Sequence, residues 1–299
     1  MQYIKSPLRY PGGKSRAISQ IAEYIPKHFS EYREPFLGGG SVFLYLRQKY
    51  PHLTFWINDL NYDVYCFWKY AQISCNQLVS DIKKIKQERE NGRELFKDFT
   101  TTDVTKLSEF ERAVRFFVLN RITFSGTVDS GGFSQKAFEG RFTYSSIERI
   151  ALLENILAGI KITNSDYGEL LKESGQEVFL FLDPPYLSTV KSRLYGKNGS
   201  LHTSFDHNEF SQELKICSHL WLITYDDSPE IRKKFTFANL YEWQLQYGMN
   251  NYKQKHAAKG NELFIANYKV HQQEQGYIQL EMNYPVDNAV RLTALTGCQ

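Results

Sequence analysis

"EVFLFLDPPYLS", Glu177 to Ser188, sets five apolar residues, Val178 to Leu182, directly before Asp-Pro-Pro-Tyr. An apolar run without polar alternation predicts a strand covered on both faces, as in a parallel sheet clothed by helices. The end of that strand raises a chemical question. Pro184 forces Asp183 into an extended conformation, and neither Pro184 nor Pro185 has an N–H to give. The Asp183 carboxylate and the Pro184 carbonyl then face outward as paired acceptors, suited to the two N–H donors of a planar amine. Tyr186 adds a ring that can stack on a flat heterocycle. The competing reading is a proline turn in which Asp183 caps a loop and Tyr186 packs on the core.

Outward from this stretch, the chain alternates strands and helices. A turn at "SPLRYPGGKSR" is followed by a helical pattern with Ala17, Ile18, Ile21, Ala22 and Ile25 on one face. A short strand around Arg33 to Phe36 runs into "FLGGGS", and a helix over Val42 to Tyr50 follows. A second buried strand, "LTFWINDLN", ends on Asp59, about 20 residues beyond the glycines and at the spacing from which an acidic residue reaches a ribose hydroxyl pair. After a long helical and glycine-rich stretch come the helix "SIERIALLENIL", capped by Ser146, and the strand "GIKITNSDY". The carboxyl half adds the helix "FSQELKICSHL", the strand "LWLITYDD", the helix "SPEIRKKF" and a hairpin from "YEWQLQYG" to "NELFIANYKV". The class is α/β: a mostly parallel sheet with helices on both faces, interrupted by an insert.

Three loops at strand ends draw the functional question, because ligands of open α/β sheets bind outside the carboxyl ends of the strands. The glycines of "FLGGGS" allow close backbone approach to a ligand at a helix start, or make a plain tight turn. The stretch fits neither the six-position dinucleotide fingerprint nor the P-loop pattern. Asp59 either meets a nucleoside or, with Asn61, starts the next helix. Asp166 and Tyr167 lie beside the same ligand or cap "GELL".

Composition narrows the classes. With 42% hydrophobic and 23% charged residues the chain is an ordinary globular protein, and a net charge of +3 permits nucleic acid without demanding it. Cys66, Cys75, Cys217 and Cys298 are scattered, which speaks against a disulfide framework or a cysteine zinc site and for a reducing cytosol. No signal-peptide core and no apolar run of membrane-spanning length is present, so a cytoplasmic protein without a membrane partner is expected.

In fixed order, "RYPGGK", "FLGGGS", "NDLN", "NSDY" and "DPPY" resemble the motifs of the Dam family of adenine-specific DNA methyltransferases. The resemblance implies a fold of the S-adenosylmethionine-dependent methyltransferase type carrying an inserted helical and hairpin recognition subdomain. It divides the chain into a catalytic domain at 1–62 and 147–270, an insert at 63–146 and an extension of unread role at 271–299. The implied activity is methyl transfer from S-adenosyl-L-methionine to the N6 amine of a flipped-out adenine in double-stranded DNA. By the same resemblance Tyr10, Lys14, Phe36, Gly38, Gly40, Asp59, Asp166, Tyr167 and Asp183 hold the methyl donor. Asp183 and the Pro184 carbonyl hold the target amine, and Tyr186 stacks on its base. No metal is called for.

Within the insert, "NRITFSGTVDSGGFSQKAFEGRF" resembles the recognition segment, with Arg121, Ser125, Lys136 and Arg141 as DNA contacts. Each of these cations could equally be a solvated surface charge. The basic loops "STVKSRLYGKNGSLHTSF" and "GMNNYKQKHAAKGNE" flank the site and could order on DNA. Members that read GATC carry K-W-x-G-G-K and N-G-x-x-R, whereas this chain reads "LRYPGGK" and "NRITFSG", so the likeness does not extend to that target. Methylation of RNA adenine or of the cytosine N4 amine, and a DNA-binding homologue without catalysis, are the alternative readings. A restriction endonuclease partner is compatible with the family; the sequence carries no statement of oligomeric state.

Overall fold

In the computed structural model, which describes residues 3–128, 131–187, 205–246 and 259–270, the run Val178–Leu182 forms β4, buried at every position. Phe179 and Phe181 face one core; Val178, Leu180 and Leu182 face the other. That two-sided burial is the physical reason for a strand with no polar alternation. β4 pairs in parallel with β1 (Glu31–Glu34) on one side and β5 (Leu220–Asp226) on the other.

The full sheet has seven strands in the order β3-β2-β1-β4-β5-β7-β6, where β2 is Thr54–Asn58, β3 Lys161–Thr163, β6 Asn239–Gln246 and β7 Lys259–Ala266. The pairs β5–β7 and β6–β7 are antiparallel, and the other four are parallel. The α/β class and the carboxyl-terminal hairpin pairing follow the sequence expectation. Chain order reverses between β1 and β4: strands 2 and 3 build outward on one side, strands 4 and 5 on the other. Such a reversal leaves a crevice at the carboxyl ends of the two central strands.

Helices α1 (Ile18–Tyr24), α2 (Ser41–Lys49), α10 (Tyr167–Lys172), α11 (His207–Ile216) and α12 (Pro229–Lys234) accompany the strands. Arg33, buried in β1, turns its guanidinium to the carbonyls of Leu170, Glu173 and Ser174 at 2.6–2.8 Å. A cation at a helix carboxyl end satisfies orphan carbonyls and complements the dipole, so one strand residue fixes the seat of α10.

Between β2 and β3 lie α3 (Tyr62–Ile73), α4 (Cys75–Glu88), α5 (Gly92–Thr101), α6 (Glu109–Ile122), α7 (Gln135–Arg141), α8 (Tyr144–Ala151) and α9 (Glu154–Leu157). Their buried faces join one of the two sheet cores without a break. The hairpin expected here is brief: Phe124 N–H donates to the Gly132 carbonyl and Ser134 N–H to that of Ile122, both at 3.0 Å, around a single Thr123–Phe133 bridge.

The continuous helix expected over "SIERIALLENIL" is two helices. Its cap is Thr143, whose hydroxyl accepts the Ser146 N–H at 3.2 Å while Ser146 Oγ accepts the Thr143 N–H at 3.2 Å. Leu152 and Leu153 keep right-handed helical angles across the break, so the apolar stripe Ile147, Ile150, Leu153 and Leu157 stays buried although the hydrogen-bond ladder is interrupted. Most of the two basic loops and all of 271–299 lie outside the described residues.

Candidate active site

The β1/β4 crevice is a cavity of about 860 Å³. Loops that line it include Tyr10 to Lys14, Phe36 to Ser41, Asp59 with Asn61, Ser165 to Tyr167, and Asp183 to Tyr186. All except the first follow strands.

The glycine loop is dictated by packing within the protein. Gly38 has φ of +46° and Gly40 of +62°, and a Cβ at either would stand 2.7 Å from the ring of Tyr10 or Trp68 respectively. Trp68 of α3 also donates its indole N–H to the Gly38 carbonyl at 3.0 Å. Tyr10 and Trp68 thus hold the loop, and its three glycines line the cavity together with Tyr10.

Asp59 stands one residue past β2. Its Oδ2 accepts the Gly38 N–H at 2.7 Å and its Oδ1 the Asn61 N–H at 2.8 Å. Burial pushes the carboxyl up to about 6, against the two N–H groups that lower it. Asn61 is the residue that caps α3, accepting from Asp63 N–H at 3.0 Å. Asp59 therefore joins two loops, and each oxygen retains acceptor capacity.

Asp166 caps α10 by accepting the Gly168 N–H at 2.8 Å, and Tyr167 follows with its ring 5.6 Å from that of Phe36 at 30°. The two rings make an aromatic wall. Burial, then the Glu213 charge, holds the Tyr167 phenol well above its ordinary value.

On the other side of the reversal stands Asp183. Lys14, only 5% exposed, places its ammonium 2.6 and 2.7 Å from the two Asp183 oxygens and 2.9 Å from the Gly12 carbonyl. Thr224 of β5 donates its hydroxyl to Asp183 Oδ1 at 2.7 Å. Three hydrogen bonds on a carboxylate with about four acceptor sites leave room for a further N–H. The Lys14 ammonium also lies 5.1 Å from the centroid of the Tyr186 ring. Tyr186 in turn donates its hydroxyl to Glu262 at 3.0 Å.

Sequence reasoning missed Glu34, Thr224, Glu262 and Trp68. Glu34 ends β1, buried at the cavity wall, and accepts the Tyr32 hydroxyl at 2.6 Å. Burial pushes its carboxyl up to about 8, the Tyr32 hydrogen bond opposes this, and the Asp183 charge raises it further. Its one signal was a charged residue at the end of a buried strand, immediately before "PFLGGG". Thr224 and Glu262 lie inside strands read only for their apolar pattern.

The expected DNA contacts separate. Arg121 differs from the expectation of an exposed cation: it is 4% exposed at the end of α6, with its guanidinium on the Pro7 carbonyl and against the Phe117 ring. Burial pushes it down to about 10, and its geometry ties α6 to the amino-terminal loop. Asn120 does the same, bonding both the N–H and the carbonyl of Arg9. Ser125 sits half-buried at φ of +56°, beside Phe124, which is 68% exposed. Lys136 is exposed and Arg141 half-buried on α7.

Among the described residues no group of three or more His, Cys, Asp or Glu side chains could hold a metal ion. No helix among them is long and apolar enough to cross a membrane.

Several DNA methyltransferases are similar to this chain at modest identity. The Type II methyltransferase M.MjaIII of Methanocaldococcus jannaschii is 27% identical over 227 residues, 70% of this chain and 77% of that protein. M1.LlaDCHI of Lactococcus lactis, also a Type II methyltransferase, is 28% identical over 218 residues, 70% of this chain and 72% of its own. The DNA adenine methylase of Vibrio cholerae is 23% identical over 205 residues, 67% of this chain and 72% of its own. The D12 class N6 adenine-specific DNA methyltransferase family matches residues 10–249, from the ring against the glycine loop to beyond the Asp183–Tyr186 tetrapeptide, and this chain belongs to it, a DNA adenine methyltransferase that draws on a methyl donor.

Proposed function

We propose that the chain methylates the N6 amine of an adenine flipped out of double-stranded DNA, with S-adenosyl-L-methionine as donor. One observation carries this reading: the carboxylate, ammonium and ring of Asp183, Lys14 and Tyr186 meet in the same cavity as Asp59 and the Phe36–Tyr167 wall. A nucleoside suits the first half of the cavity. Asp59 offers acceptors to ribose hydroxyls, Phe36 and Tyr167 offer an apolar wall to a base, and the glycine loop brings backbone close to the ligand. Tyr10 and Lys14 close it from the amino-terminal loop, and Asp166 with Asp183 completes the set. When bound, the donor supplies an electrophilic methyl on a cationic sulfur.

The second half of the cavity suits an exocyclic amine. Asp183 and the Pro184 carbonyl accept its two hydrogens and draw the nitrogen toward tetrahedral geometry, which frees its lone pair. Lys14 and Thr224 fix the direction of the Asp183 carboxylate, so no reorganisation is needed when the amine arrives. Tyr186 stacks on the base, and stacking worth ~1–3 kcal/mol offsets part of the few kcal/mol spent in unpairing it. Lys136, Arg141 and the Ser125 turn are the DNA-facing candidates of the insert. A Type II restriction-modification role is consistent with the names of the Methanocaldococcus jannaschii and Lactococcus lactis relatives.

Transfer of labelled methyl from S-adenosylmethionine to unmethylated plasmid DNA, followed by nucleoside digestion, tests the reading. N6-methyladenine that disappears with Asp183→Ala is the expected result; N4-methylcytosine, or full activity in that variant, would overturn the assignment.

A further inference from the structure

Glu262 occupies a position on β7 where the strand pattern calls for an apolar residue. It pairs with Asp226 of β5 and Trp243 of β6, and the next two residues on its face, Phe264 and Ala266, are buried in the core. A carboxylate 1% exposed there is costly to bury unless it is hydrogen-bonded. It accepts the hydroxyl of Tyr186 at 3.0 Å, although 76 residues of chain separate the two.

The Lys14 ammonium and the Tyr225 ring, 5.1 and 5.9 Å from its centroid, contact the face of Tyr186, and Glu262 holds its hydroxyl end. Tyr186 follows two prolines in neither strand nor helix, so the hydroxyl contact ties a loop residue to the sheet. Two other carboxylates at the carboxyl edge of the sheet are served in the same way: the Tyr32 hydroxyl donates to Glu34 at 2.6 Å and the Thr224 hydroxyl to Asp183 at 2.7 Å. In the third pair the roles are exchanged, because the hydroxyl belongs to the catalytic tetrapeptide and the carboxylate comes from the neighbouring strands.

We infer that Glu262 is a positioning residue, which aims the Tyr186 ring at the extruded base through its hydroxyl. This rests on the reading of Tyr186 as the stacking ring. Glu262 lies beyond the matched span of 10–249, so the family match does not assign it a role.

Steady-state methylation of unmethylated plasmid DNA with tritiated S-adenosylmethionine, run beside calorimetric binding of that donor, tests the inference. A hydrogen bond to a buried carboxyl that holds the ring ready for the transition state is expected to be worth about 30-fold in kcat. Glu262→Ala and Tyr186→Phe are each expected to lose that factor, with KM for DNA and Kd for the donor within about twofold of the parent. The double variant loses no more than either single one, and Glu262→Gln, which retains an acceptor, recovers to within a few-fold. Parental kcat in Tyr186→Phe, or losses that multiply in the double variant, would overturn the positioning role. If Glu262→Ala does not fold, Glu262→Gln and Tyr186→Phe decide the matter alone. Tyr186→Ala separates the two levels: parental activity there defeats the stacking reading, whereas a loss there with none in Tyr186→Phe defeats only the inference about Glu262.

Discussion

On the β2 side of the strand reversal, Asp59 is held by the backbone N–H groups of Gly38 and Asn61, no more than 21 residues away. On the β5 side, Asp183 is held by the side chains of Lys14 and Thr224, 169 and 41 residues distant. The same carboxylate chemistry is thus fixed by local backbone in one half of the cavity and by remote side chains in the other. A backbone-held group tolerates substitution of its neighbours' side chains. A side-chain-held group fails with its partner, and its parts must all arrive before it works.

The largest test of this contrast is Asp183 itself. Asp183→Asn is expected to keep an acceptor for Lys14 and remain folded, while methyl transfer falls roughly a thousandfold or more. Asp183→Ala leaves the Lys14 ammonium buried and unpaired, and denaturant melts are expected to show an additional ~3–5 kcal/mol of destabilisation. Equal stability of the two variants would remove the claim that Lys14 depends on its partner.

Gly40→Ala probes the other half. A Cβ 2.7 Å from Trp68 at a φ of +62° combines overpacking with a strained backbone, and urea unfolding is expected to report a loss of ~2–4 kcal/mol. Wild-type stability would mean that the glycine loop is not set by packing against α3.

Glu34 stands at the seam. Its carboxyl lies near 8 in the folded chain against an ordinary 4.5, so the folded state binds the proton more tightly. The stability this contributes is complete below about pH 4.5 and is lost as pH rises through 8, on the order of a few kcal/mol. Glu34→Gln keeps a neutral group beside Tyr32 and should flatten that decline when unfolding is compared at the two ends of the window. An unchanged pH slope would show that Glu34 titrates normally.

The smallest effect belongs to the insert. Lys136→Ala should lower the salt dependence of DNA binding by ~0.9 in slope if Lys136 meets one phosphate. Arg121→Ala should instead appear in thermal melts, with the slope unaltered, because its guanidinium is spent on the Pro7 carbonyl. A reversed pattern would exchange the roles of the two cations.

The contrast between the halves also explains what could be read in advance. β4 was legible because an unbroken apolar run has few alternatives, the loops at 59 and 183–186 because they end such runs, and the loop at 36–41 because three glycines stand before a helical pattern. β1 was read as ending at Phe36, yet its pairing stops at Glu34 because Pro35 has no N–H for the ladder. Thr224 and Glu262 were invisible for a different reason. Their meaning depends on which strand lies beside them, and period-two patterning does not report the strand order that sets Asp183 next to β5. Arg121 misled because a cation in a polar, glycine-rich segment reads as exposed, while the carbonyl that it covers lies 114 residues earlier.

Trp68 sets a rule for exchanging the proposed recognition insert of this chain. Its indole is anchored on Gly38 and fills the space beneath Gly40, so the first helix after β2 is part of the foundation of the glycine loop. A chimera spliced at the boundary read from the sequence, between residues 62 and 63, would carry away that foundation along with the proposed recognition surface. The splice that preserves it falls after Ile73 on the amino-terminal side and before Lys161 on the other, which leaves α3 with its parent and transplants only the helices beyond it.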